Sequence, residues 1–199
     1  MRKPIDDIWI DQIKTSINPG AWTKDVDITY NNQFLWNRAN DLVQKDRFGE
    51  VVFAVERPNG KIIVVTSKEY PKGVFRVPTG GIHYGEDIVG AVYREVKEEL
   101  GLQAIIHQLF GILRIHFLHE GKSLPFYSFL FHVKETGGRL LLDATDDEVS
   151  DTMELDPEGL ENTSRQLLTI QEDWKDWGRF RHSTTCAVAE YMKLYTRTE

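Results

Sequence analysis

The chain has 199 residues, 41% of them hydrophobic, and a formal net charge of -7. That length supports one domain with a sizeable core, and an acidic balance without a block of Lys and Arg argues against a general nucleic-acid surface. A single cysteine, Cys186, excludes an intrachain disulfide and a cysteine-rich zinc site, and no apolar run approaches the ~20 residues of a membrane span.

Residues 1–48 read as a helical N-terminal extension. Ile5, Ile8, Trp9, Ile13 and Ile17 recur at helical spacing, and Asn18-Pro19-Gly20 stops that helix. Phe34, Leu35, Arg38, Leu42 and Val43 mark a second helix ending near Phe48-Gly49. The extension either packs on its own domain, the favoured reading, or serves as a dimerisation arm that also walls the substrate site; a homodimer is the expected state. Asp6 and Asp7 come too early for a signal peptide, so a cytoplasmic protein is expected.

Residues 49–199 form the main domain in this reading. Val51 to Val55 and Ile62 to Val65 are strands joined by the turn Pro58-Asn59-Gly60. Phe75 to Pro78 is a short strand leading into Thr79-Gly80-Gly81. Asp87 to Leu100 is a helix, with Gly101 where a C-terminal glycine cap belongs. Strands from about Ile105 to Leu118, with Gly111 as a bulge, and from Phe126 to Lys134 make a hairpin through His119-Glu120-Gly121-Lys122. An acidic loop, Asp143 to Asp151, precedes a further strand and the turn Asp156-Pro157-Glu158-Gly159. A helix from about Ser183 to Tyr195 follows, and the Ala187-Val188-Ala189 run beside Cys186 predicts a buried structural thiol. Strands mixed with two main helices predict an α/β sandwich.

The stretch GGIHYGEDIVGAVYREVKEELGL, Gly80 to Leu102, carries the chemistry. At ~100° per residue Glu95, Glu98 and Glu99 share one helical face, beside an apolar stripe of Val89, Val92, Val96 and Leu100. Like charges at these spacings repel, and an oxygen-binding divalent cation, Mg²⁺ or Mn²⁺, would relieve that repulsion. A solvated acidic face is the alternative.

The flanking residues narrow the choice. Gly80, Glu86 and Arg94-Glu95-Val96-Lys97-Glu98-Glu99-Leu100-Gly101-Leu102 resemble the Nudix box, Gx5Ex7REUxEExGU with U aliphatic, at all nine fixed or class-restricted positions. The resemblance implies a Nudix fold, a mixed β-sheet between helices with the box as a loop-helix-loop. It also implies hydrolysis of a diphosphate linkage in a nucleotide-like substrate. By that resemblance Glu95, Glu98 and Glu99 bind metal, Glu95 doubles as a general base in some members, Arg94 orients the glutamates, and Glu86 sits outside them. A residue just before the first box glycine contributes a carbonyl to the metal; here Thr79 stands where many members have glycine.

A further acid from a later loop is expected at Glu148, with Glu120 as second choice. Arg114 and His116 point to one face of their strand and are candidates to bind substrate. The mix of Trp174, Trp177, Arg179, Phe180, Arg181 and His182 reads first as core covering and second as a ligand wall. Nucleotide sugars, dinucleoside polyphosphates and modified nucleotides stay open as substrates. The competing class is a Nudix-like ligand-binding or regulatory domain without turnover.

Overall fold

The computed structural model describes residues 7–45 and 47–197; Ile5, expected in the first helix, lies outside them. In chain order the elements are α1 (Asp7–Ile17), β1 (Trp22–Thr29), α2 (Gln33–Lys45), β2 (Arg47–Glu56), β3 (Ile62–Thr66), β4 (Thr79–His83), α3 (Ile88–Leu100), β5 (Leu102–His119), β6 (Lys122–Gly138), β7 (Asp151–Leu155), α4 (Pro157–Leu167), a 3₁₀ turn (Glu172–Trp174) and α5 (Lys175–Tyr195). The strands form one mixed sheet in the order β1-β5-β6-β2-β3-β7, with β4 also paired to β2.

Central strand β2 reads as a continuous apolar run because both of its faces are buried. Val52 and Ala54 pack on one side with Trp36 of α2, Leu160 of α4 and Phe180, Val188 and Met192 of α5. Val51, Phe53 and Val55 pack on the other with Ile10 of α1 and Val92, Val96 and Leu100 of α3. The sheet therefore lies between two helical layers. The α3 residues Val92 and Leu100 are fully buried, which contributes about 1.5–3 kcal/mol each and fixes the helix against the sheet. No helix among the described residues is long and apolar enough to cross a membrane.

The ends of α3 are set by local chemistry. Asp87 accepts the Gly90 amide at 2.7 Å as N-cap. Gly101 takes φ 69° at the C-cap and donates to the Lys97 carbonyl at 3.0 Å. A side chain there would overlap the backbone of Asp143 and Ala144. The β5–β6 hairpin turns on Glu120 and Gly121, both with positive φ, and the β5 register shifts between Leu109 and Gly111.

Several expectations shift. The extension contains a strand as well as helices: β1 runs parallel to β5, Trp22 opposite Gly111 and Thr29 opposite Leu118. Its charged residues Lys24, Asp25 and Asp27 suit an edge strand and mask its alternation. The strand expected at Phe75 to Pro78 is a single bridge, Val65 to Arg76, before β4 begins at Thr79. The turn expected at Asp156 is the start of α4, with Asp156 as N-cap and Pro157 in the first turn. Helix α5 begins eight residues before the expected Ser183, and Cys186 on it is half-buried rather than buried.

Candidate active site

The box folds around Arg94. Its Nε donates to Glu86 Oε1 at 2.7 Å and its Nη2 to Glu86 Oε2 at 3.0 Å, a two-pronged grip. Nη2 also reaches the Gly81 carbonyl at 2.9 Å, while Nη1 bridges Glu95 Oε1 at 2.8 Å and Glu98 Oε2 at 3.0 Å. One guanidinium thus ties the glycine loop, the start of the box and two of its three helical carboxylates together. Hydrogen bonding from Arg94 holds the Glu86 carboxyl below its usual range against its partial burial. Burial raises that of Glu95 despite Arg94.

Gly80 gives Glu95 its place. The loop passes so close that a methyl built on Gly80 would overlap the Glu95 side chain, so the carboxylate lies against bare backbone. Gly81 does the same for the guanidinium of Arg47.

Glu99 takes a different course. It is 3% exposed, and its Oε2 has no hydrogen-bond partner. Burial, reinforced by Glu95, Glu148 and Asp146 and opposed by Arg76, pushes its carboxyl up to about 8. The acidic loop is brought there by backbone: the amides of Thr145 and Asp146 donate to the Glu98 carbonyl at 3.0 and 3.2 Å. Among the described residues, no three acidic, His or Cys side chains already converge as a cation cage; Arg94 draws Glu95 and Glu98 to itself, and Glu99 faces the cleft.

That cleft has a volume of about 530 Å³ and reaches from Glu99, Glu148 and Thr79 to the N-terminal half of α5. Thr79 is buried, its hydroxyl accepting from Arg76 Nη1 at 3.1 Å. Trp174, Trp177, Phe180 and Arg181 line the cleft, and Phe180 also belongs to the core, so this segment both covers and walls. Arg179 and His182 turn elsewhere, to Asp176 and to Ser164. A second hollow of about 710 Å³ lies beyond Tyr70 and Trp174 and includes no box residue.

Arg114 and His116 are not brought to the carboxylates. Neither lines the cleft. Arg114 pairs with Asp25 at 3.0 Å, and His116 lies 3.5 Å from Asp27, because the parallel register sets β1's acids opposite them. Glu120 sits at the hairpin tip, outside the cleft lining.

Two cleft residues carry no motif that marks them in advance. Arg76 is buried, donating to Tyr70 Oη at 2.9 Å and to the Val77 carbonyl at 2.9 Å. Glu50 is buried and accepts from Arg181 Nη1 and Ser128 Oγ, both at 2.8 Å. The available signal was a lone charge inside or at the edge of an apolar run, Phe75-Arg76-Val77 and Glu50-Val51-Val52.

Comparison with known proteins agrees with the box geometry. Part of the chain is 28% identical over 121 residues to Nudix hydrolase 2 of Arabidopsis thaliana, covering 57% of this chain and 43% of that protein. It is 41% identical over 59 residues to an ADP-ribose pyrophosphatase of Methanocaldococcus jannaschii, covering 29% and 34%. The matched region spans less than half the length of both relatives. A solved NUDIX hydrolase from Nitrosomonas europaea superposes with a TM-score of 0.48 at 19% identity, over 60% of this chain and 78% of that one. The sequence profile of the NUDIX domain matches residues 46–177, more than half of the chain. The box built around Arg94 and this match together place the chain in the NUDIX domain family.

Proposed function

We propose that the protein is a divalent-metal-dependent pyrophosphohydrolase that cleaves the diphosphate linkage of a nucleoside diphosphate joined to another group. The observation that carries this reading is Glu99: a buried carboxylate, one oxygen unpartnered, at the mouth of a cleft and beside further acids. A buried unmet acceptor needs a compensating group, and an all-oxygen neighbourhood suits Mg²⁺, with Mn²⁺ as a substitute.

Glu95, Glu98 and Glu99 would hold the cation, with the Thr79 carbonyl as a further oxygen donor. A bound divalent cation supplies charge that polarises the diphosphate and lowers the pKa of an attacking water. Arg94 orients Glu95 and Glu98 and neutralises part of their mutual repulsion. Glu148 faces the cleft near Glu99 and is the candidate to take the proton of the water, with Glu95 as the other candidate. Arg114 and His116, paired with β1, are left out of the substrate site. The name of the archaeal relative, an ADP-ribose pyrophosphatase, agrees with a diphosphate-cleaving role.

The test is a panel of nucleotide sugars, dinucleoside polyphosphates and nucleoside triphosphates, with Mg²⁺ or Mn²⁺ and with excess chelator, in ¹⁸O-labelled water. Metal-dependent turnover with the label on a product phosphate is expected. Tight nucleotide binding with no turnover across the panel would favour a binding module instead.

A further inference from the structure

We propose that Glu50 and Arg181 form a nucleobase-reading subsite at the α5 end of the cleft, so that recognition of the base is built on β2 and α5 rather than on the box. This rests on the hydrolase reading and specifies where its substrate is selected.

The two residues come from opposite walls. Glu50 shares its face of β2 with Val52 and Ala54, the side that α5 covers, whereas α3 with its carboxylates covers the other side. Both Glu50 and Glu99 nevertheless line the one cleft. Glu50 also lies directly across the β2–β4 ladder from Gly81, the residue after the first box glycine. A ligand in this cleft therefore reaches the box carboxylates at one end and the Glu50–Arg181 pair at the other.

The pair has hydrogen-bonding capacity to spare. Glu50 accepts one bond on each oxygen, from Ser128 and from Arg181, and a carboxylate has about four acceptor positions. Arg181 Nε is buried with no partner, which carries the desolvation cost of an unmet donor. An unmet donor beside an under-used acceptor complements a planar group that presents an acceptor beside a donor, the arrangement on the hydrogen-bonding edge of a nucleobase. The neighbouring lining is aromatic: Tyr30, Phe117, Phe126 and Phe180 pack against one another at the same part of the cleft, and the Arg181 guanidinium lies 4.4 Å from the Phe180 ring centroid. Aromatic faces favour a stacked base; a ribose diol has hydrogen-bonding groups but no plane to stack.

A purely structural ion pair would stabilise the fold without regard to the ligand. The experiment separates the two by calorimetric titration of the intact protein with GMP, AMP, UMP and CMP and with ribose 5-phosphate, which has the sugar and phosphate but no base. At least one mononucleotide should bind tenfold or more tightly than ribose 5-phosphate, and the four arms identify the base. Glu50→Gln and Arg181→Lys should erase that preference while leaving ribose 5-phosphate binding within about twofold. With the hydrolysed substrate they should raise KM at least tenfold and change kcat much less. Equal binding of ribose 5-phosphate and all four mononucleotides to the unaltered protein would overturn the proposal, even if the variants fail to fold. So would variants that fold and keep the base preference. Failure of the hydrolase reading shows separately, as binding without turnover.

Discussion

Gly80 and Glu95 are in such close contact that the absence of a side chain on the first is what makes room for the carboxylate of the second. Gly80→Ala should therefore move Glu95. Misplacing a reacting group by about 1 Å costs on the order of 100-fold in rate, and a loss of that size is expected in turnover with Mg²⁺. The metal-free melting temperature should fall only modestly, since Glu95 lies beside the loop rather than in the apolar core. Full turnover by a folded Gly80→Ala protein would show that this contact does not position the carboxylate.

Glu98→Gln and Glu99→Gln should separate activity from stability. Glu98→Gln removes one charge from a cluster of like charges, and Glu99→Gln places a neutral amide where burial already disfavours the charged carboxylate. Unfolding midpoints in chelator should hold or rise, while turnover falls on the order of 100-fold. A variant that melts much earlier and still turns over at the original rate would count against the metal site assigned here.

Asp176 ties the N-terminal elements to α5. It accepts the amides of Asn31 at 2.6 Å and Asn32 at 3.0 Å, just before α2, and these bonds hold its carboxyl below its usual range despite partial burial. Asp176→Ala would leave two amides unmet and cost about 3 kcal/mol. Urea denaturation should show that loss, and hydrogen exchange should show α2 opening first. Unchanged protection of residues 31–45 would refute the tether.

Acid should weaken the fold through His132. This buried side chain has Nε2 2.9 Å from Glu56 Oε2 and Nδ1 3.1 Å from Tyr191 Oη, with His107, Lys134 and Tyr195 around it. Burial pulls its pKa down to about 4, against the pull of Glu56. The unfolded value is about 6.5, so between those two values the unfolded chain binds more protons than the folded one. Stability attributable to this residue is intact above about pH 6.5 and falls as the pH drops toward 4, by up to ~3 kcal/mol. Urea midpoints of wild type and His132→Gln measured across that window should converge or cross at the acid end; parallel curves would clear His132.

What could be read from the sequence was what neighbours in sequence decide. The α3 helix, its Gly101 cap and the tight Glu120-Gly121 turn all depend on residues a few positions apart, and the box announces itself by spacing. Asp156-Pro157-Glu158-Gly159 was legible as a chain reversal but equally fits a helix start, because an Asp accepting an amide three residues on serves both. The early turns of α5 carry Trp177, Gly178 and Arg181, which face cleft and core at once and so show no single apolar stripe. Arg114 and His116 looked available because nothing local shows that β1, 89 residues earlier, sets acids beside them. Arg76, Glu50 and Arg181 gain their meaning only when β2, the approach to β4, and α5 meet around one cleft.

The pairing of β1 with β5 also sets a chronology for biosynthesis. At roughly 5–20 residues per second, the ribosome needs about 5–18 s after making Trp22 to make Gly111, the residue it will sit beside. Through that interval Ile28, destined for the core, has no β5 to lie against. Helix α2 and the box can form meanwhile, but the strand that begins first is placed among the last. A long-range parallel pairing of this kind slows folding. The nascent chain's vulnerable period thus falls on β1, and slowing translation between residues 30 and 110 should lengthen it.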